Sequence, residues 1–138
     1  MRKIWLSVLM TALLLMLGLM PALADGNLLE NPDFEALDSQ GLPLGWDTDA
    51  YLSAEGYTTY AVQTDEQQGN CAVITNFGAN DARFAQTVYV EPDTTYRLSG
   101  YILASGIEED GWGANLSVSG VYLTVDSWFD TEGEWQYT

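Results

Sequence analysis

The stretch from Thr95 to Ala104 carries the side chains best suited to recognition chemistry. Read as a strand, it alternates between two sides. Arg97, Ser99, Tyr101 and Leu103 fall on one face, and Tyr96, Leu98, Gly100 and Ile102 on the other. The second set reads as core, and the first makes a polar–aromatic surface. The preceding run divides in the same way, with Phe84, Gln86, Val88 and Val90 against Arg83, Ala85, Thr87 and Tyr89. There the pattern does not settle which set faces inward. A surface of this kind fits a groove for a sugar chain. Sugars offer apolar C–H faces to aromatic rings and hydroxyl pairs to Arg, Gln and Asn, and small-molecule sites join apolar walls to a few polar groups. The plainer reading is a solvated outer sheet with snorkelling side chains. Pattern alone leaves both open.

Catalysis finds less support. The chain has no histidine, which removes Ser–His–Asp and Cys–His triads and the usual zinc sites. Cys71 is the single cysteine, so no internal disulfide holds the domain together, although export would permit one. Its setting, Cys71-Ala72-Val73-Ile74, reads as that of a buried, inert thiol. With 20 acidic residues, some Asp–Glu pair always falls at glycosidase-like separation, so such a pair proves nothing. None sits in an apolar, tryptophan-flanked context that would raise its pKa. The run Glu108-Glu109-Asp110 reads as solvated loop charge. The chain is read as non-enzymatic.

Those residues belong to a short chain of 138 residues, enough for one domain. Residues 1–24 read as a secretory signal. Arg2 and Lys3 precede the apolar run Ile4 to Met20, and Ala22-Leu23-Ala24 has a small–x–small cleavage pattern. An uncleaved membrane anchor is the alternative. The mature part, residues 25–138, keeps all 20 acids but only Arg83 and Arg97 as bases. Such a surface repels phosphate backbones and anionic membranes, which excludes nucleic acid as a partner. Disordered acidic chains are poor in aromatic residues. This one carries 8 tyrosines, 4 phenylalanines and, after the signal, Trp46, Trp112, Trp128 and Trp135. It folds, and it is expected as a secreted or extracellular monomer.

No long helical period follows residue 24. Short alternating runs between Gly, Pro, Asn and Asp predict antiparallel strands: Asn27 to Phe34, a short piece from Trp46, Tyr57 to Gln63, Cys71 to Asn76, Arg83 to Val90 and Thr94 to Ala104. Ala114 to Ser119, Val121 to Val125 and the start of one more at Glu134 to Thr138 follow. The runs on either side of Glu91-Pro92-Asp93 form the clearest expected pair. Turns fall at 39–45, 65–70, 78–81 and 106–113. Strands so spaced predict an all-β fold, an antiparallel β-sandwich of jelly-roll type, with residues 25–138 as its single domain.

Several motifs then resemble one family. The opening Asn27-Leu28-Leu29-Glu30-Asn31-Pro32-Asp33-Phe34-Glu35 is similar to the "NLLxNPxFE" start of carbohydrate-binding modules of the family 4, 9 and 22 type. Gly45-Trp46, Phe84-Ala85-Gln86-Thr87-Val88, the corner Val90 to Tyr96 and Thr131-Glu132-Gly133-Glu134-Trp135 fit the same pattern. The resemblance implies a jelly roll that binds polysaccharide, a β-glucan or xylan-like chain, without cleaving it. Modules of this kind are usually attached to a secreted glycoside hydrolase or a cell-surface protein. Carried over residue by residue, it puts Arg83 and Gln86 among the polar contacts and Tyr101 where an aromatic stacks on sugar. Trp112 or Trp46 would be a second platform, with Trp46 also readable as core. Glu35 would help hold a structural calcium ion, which takes several hard oxygen ligands.

Two departures stand out. Pro92-Asp93 replaces the usual Pro-Gly, which a type I turn tolerates and a type II turn disfavours. The family pattern also continues for roughly another 20–40 residues, so the sandwich is expected to be incomplete at its C-terminal end, with an unpaired edge. A secreted structural or adhesion β-sandwich without glycan specificity is the alternative function, since one fold serves many.

Overall fold

A computed structural model describes residues 26–121 and 126–138. The expected signal at residues 1–24 lies outside them, as does most of the strand expected over residues 121–125. Among the described residues there is no helix, and every paired strand is antiparallel. The fold is all-β. Six strands among the described residues form three two-stranded sheets: β1 (Asp47–Ala50) with β4 (Ala82–Ala85), β2 (Thr58–Asp65) with β3 (Gly69–Asn76), and β5 (Tyr101–Ile102) with β6 (Gln136–Tyr137).

The hairpin β2–β3 is the longest unit, and its residues explain it. Thr58 to Val62 and Cys71 to Thr75 are rich in β-branched and aromatic residues, which suit a pleated, half-buried surface. Asp65 pairs with Gly69 across a three-residue turn. Gly69 has a φ of 76°, the left-handed position that three-residue hairpin loops place after a turn. The Asp65 carboxylate accepts from the Gln67 and Gln68 amides at 2.8 and 3.0 Å and closes the turn from inside.

The opening segment is not the strand expected from Asn27 to Phe34. Asn31 and Phe34 take φ values of 51° and 56°, which no strand contains. The Asn31 side chain replaces the ladder. Its amide nitrogen donates to the carbonyls of Ala36 and Leu44 at 2.9 and 3.0 Å, and its amide oxygen accepts from Ala36 N at 2.9 Å. Asparagine commonly offers the backbone such an alternative to regular structure.

The expected pairing of residues 83–90 with 94–104 also gives way. The strand starting at Ala82 stops at Ala85 and pairs with β1, and Tyr101–Ile102 pairs with β6. Between them the chain turns a corner and leaves one sheet for another. Asp93 takes a left-handed φ of 55°, a conformation that Asp tolerates better than most non-glycine residues, and Tyr96 Oη receives the Glu91 amide at 2.7 Å. That bond closes the corner across residues 91–96.

On either side of β5 the antiparallel run continues without regular strand. Gly100 exchanges two bonds with Thr138, Thr131 N donates to Ala104 O, and Ile107 N donates to Phe129 O. Glu132 and Gly133, at φ 54° and 82°, form an outward step in this ribbon. Ala114 pairs with Trp128 on the opposite flank of the same segment, and no further strand forms over residues 115–119. Among the described residues burial is concentrated at Ala104, Thr131 and Pro43. Ala104 is 5% exposed, and the Thr131 hydroxyl both accepts from its amide and donates to its carbonyl.

Candidate functional site

Tyr101 lies on β5 directly opposite Tyr137 on β6. Cross-strand partners share a face, and the two rings sit 5.2 Å apart, tilted by 59°. Tyr101 is 54% exposed and Tyr137 is exposed beside it. Arg97, Ser99 and Leu103 are exposed too, while Tyr96, Gly100 and Ile102 are half-buried and Ala104 is buried. The alternation read from the sequence therefore holds through this stretch, with Leu98 the exception on the inward set. The surface is an aromatic pair beside a guanidinium and a hydroxyl. Tyr137 escaped the sequence reading because nothing local reveals its cross-strand partner.

The neighbouring run resolves the face left open by its pattern. Phe84, Gln86 and Val88 are half-buried, whereas Arg83, Thr87 and Tyr89 are exposed. Gln86 points its amide at the opening segment. It accepts from Glu30 N at 2.7 Å and donates to Glu30 O and Gly45 O at 3.0 and 2.8 Å. Gly45 suits that approach, since at φ 80° a Cβ there would meet the Glu30 side chain at 3.1 Å. Gln86 is thus committed to backbone groups.

Arg83 stands opposite Asp49 in the β1–β4 register. Its guanidinium reaches the Asp49 carboxylate at 3.1 Å and that of Asp81 at 3.7 Å. Tyr60 packs beside them, donating its hydroxyl to Asp49 O at 2.6 Å and meeting the Phe84 ring edge-on at 5.3 Å. Burial, aided by the two carboxylates, pushes the Tyr60 phenol above its usual pKa. Arg83 and Tyr101 lie in different sheets.

The tryptophans divide. Trp46 is half-buried, with its ring 5.3 Å from Phe34 and its indole N–H donating to Asn31 O at 3.2 Å. Trp112 is 87% exposed in the loop between Ile107 and Ala114. Six residues of ribbon, roughly 20 Å at the usual strand rise, separate Tyr101 from the start of that loop. Glu35 is exposed near the hairpin turn, its Oε1 3.9 Å from where a Gly69 Cβ would stand. No group of three His, Cys, Asp or Glu side chains comes together among the described residues. The carbonyls of Asn31, Phe34 and Ala36 already accept hydrogen bonds from the protein. Fewer than three acidic side chains with engaged carbonyls beside them fall short of the six to eight oxygens calcium takes.

Comparison with models of known protein families found no match, and neither did comparison with curated proteins or with solved structures. No helix among the described residues is long and apolar enough to cross a membrane.

Proposed function

We propose that the chain is a secreted, non-catalytic carbohydrate-binding module, a β-sandwich that holds a β-glucan or xylan-like polysaccharide on the Tyr101–Tyr137 face. One observation carries the reading. Two tyrosine rings stand exposed side by side on paired strands, 5.2 Å apart. Rigid aromatics with a polar tip are effective contact groups because few rotamers are lost on binding. Arg97 and Ser99, on the same face, supply hydroxyl partners. Among the described residues Arg97 has no ion-pair partner, whereas Arg83 has two. Trp112 serves as a separate platform at the far end of the ribbon. A structural calcium ion at Glu35 belongs to this reading on the family resemblance alone.

A titration of tryptophan and tyrosine fluorescence against soluble β-glucans and xylans tests the proposal. A saturable change with one of them is expected. Tyr101→Ala should weaken it about 30-fold or more, since loss of an aromatic anchor costs about 2 kcal/mol or more, while the unfolding midpoint stays close to that of the parent. Indifference to every glycan by a folded chain would favour a structural or adhesion domain. The internal engagement of Arg83 and Gln86 supports that alternative, because it gives protein partners to two groups that the first reading assigns to sugar.

A further inference from the structure

A cavity of about 220 Å³ opens where β1 ends and β2 begins, and its walls share no residue with the Tyr101 face. Thr48, Asp49, Ser53, Thr58 and Tyr60 give it a polar wall, and Leu52 contributes apolar surface. We propose that this cavity is a second sugar site that takes one neutral monosaccharide unit, such as the terminal residue of a glycan chain.

Size sets the first limit. The volume equals that of about seven liquid waters, which suits one pyranose ring. Chemistry sets the second. Among the described residues the hydroxyls of Thr48 and Ser53 make no hydrogen bond, so both remain free to donate and accept. Tyr60 uses its proton on Asp49 O and keeps an acceptor lone pair. The Asp49 carboxylate is oriented by Arg83. Hydroxyl ligands match such a wall. An anion would meet the carboxylate of Asp49, and a calcium ion would find that one wall carboxylate where it needs many oxygens.

Preorganisation is the third argument. Asn80, from the β3–β4 connection, fastens the loop that forms the cavity's mouth. It accepts from Leu52 N at 2.8 Å and donates to Leu52 O and Thr58 Oγ1 at 3.0 and 2.7 Å. Thr58 in turn donates to Asn76 Oδ1 at 2.6 Å, and Asn76 Nδ2 donates to Asn80 O at 3.0 Å. A loop tied at Leu52 by two bonds and at its β2 end through Thr58 loses little further entropy when a ligand enters. Tyr51 and Tyr57 flank the lining residues in the chain, and both are exposed, Tyr51 at 82%.

The inference takes only its ligand class from the proposed function, and the experiment separates the two. The nitrogen-15-labelled chain is titrated by NMR with the methyl glycosides of glucose, galactose, mannose and xylose at millimolar concentration. Saturable shifts are expected for at least one of them at the amides of Thr48, Leu52, Ser53 and Thr58. Ser53→Phe, which fills the cavity from an exposed loop, should weaken that binding about tenfold or more. Thr48→Val, which removes a free hydroxyl and keeps the strand's shape, should weaken it severalfold with the β2–β3 amide pattern unchanged. Tyr101→Ala should leave it unaltered. Absence of saturable shifts at the cavity amides with all four glycosides overturns the inference, as does undiminished binding by both cavity variants. Shifts confined to Tyr101 and Tyr137 would overturn the second site and leave the proposed function standing. Cavity binding without any polysaccharide response at Tyr101 would do the reverse.

Discussion

Three hydrogen bonds converge on the Gln86 amide, and every one belongs to the backbone of the opening segment or its following loop. A hydrogen bond typically contributes about 1 kcal/mol net, and orphaned partners cost more. Gln86→Ala should therefore lower stability by about 2–3 kcal/mol in urea unfolding, while polysaccharide binding measured on the folded fraction stays near the parent value. A large loss of affinity without a loss of stability would return Gln86 to the sugar site. The residue type suggested a sugar contact because glutamine suits both tasks. Its partners lie 56 and 41 residues away, and no local signal names them. Tyr101 was legible for the opposite reason: period two alone places it outward, and its exposure does not depend on any distant residue.

At the scale of elements, the hairpin β2–β3 was the most legible because its signals are local. Two β-branched runs, an Asp and a Gly at the turn, and a register fixed by turn length all fall within 19 residues of chain. The opening segment and the corner at Pro92-Asp93 misled because side chains won over pattern: the Asn31 amide took ladder bonds, and the Tyr96 hydroxyl took the Glu91 amide. Elements are then joined by single contacts of long range. Asp65 receives the Trp135 indole N–H at 3.2 Å, linking the hairpin turn to the segment that enters β6. The Gln67 amide foremost, then Gln68 and Trp135, hold the Asp65 carboxyl below its ordinary value. A carboxyl lowered on folding adds stability above its unfolded pKa and loses that contribution as pH falls through the lowered folded value. Trp135 emission should thus titrate below the usual carboxylate range, about pH 4, and Asp65→Asn should abolish that titration. A transition at the ordinary value, or one unchanged in the variant, would show that the Asp65–Trp135 tie does not form.

At the scale of the whole molecule, charge sets the terms on which these sheets come together. A formal net charge of −16 opposes compaction by self-repulsion, and little fully buried apolar surface among the described residues offsets it. Screening length falls from about 30 Å at 0.01 M salt to about 10 Å at 0.1 M, which removes repulsion between all but neighbouring carboxylates. The urea midpoint should therefore rise with sodium chloride over that range and flatten above it. Calcium chloride at matched ionic strength separates screening from a bound ion. The donor set around Glu35 holds fewer than three acidic side chains, with occupied carbonyls beside it, so the two salts should give nearly coincident curves apart from diffuse binding of calcium to the acidic surface, which survives Glu35→Gln. An excess that this substitution removes would instead establish an ion held at Glu35, where the folded chain supplies more oxygens than the described residues bring together. Because calcium at such a site would brace the opening segment against the hairpin turn, the same excess should then protect the Gln86 and Asn31 side-chain amides from hydrogen exchange, which diffuse binding would not do.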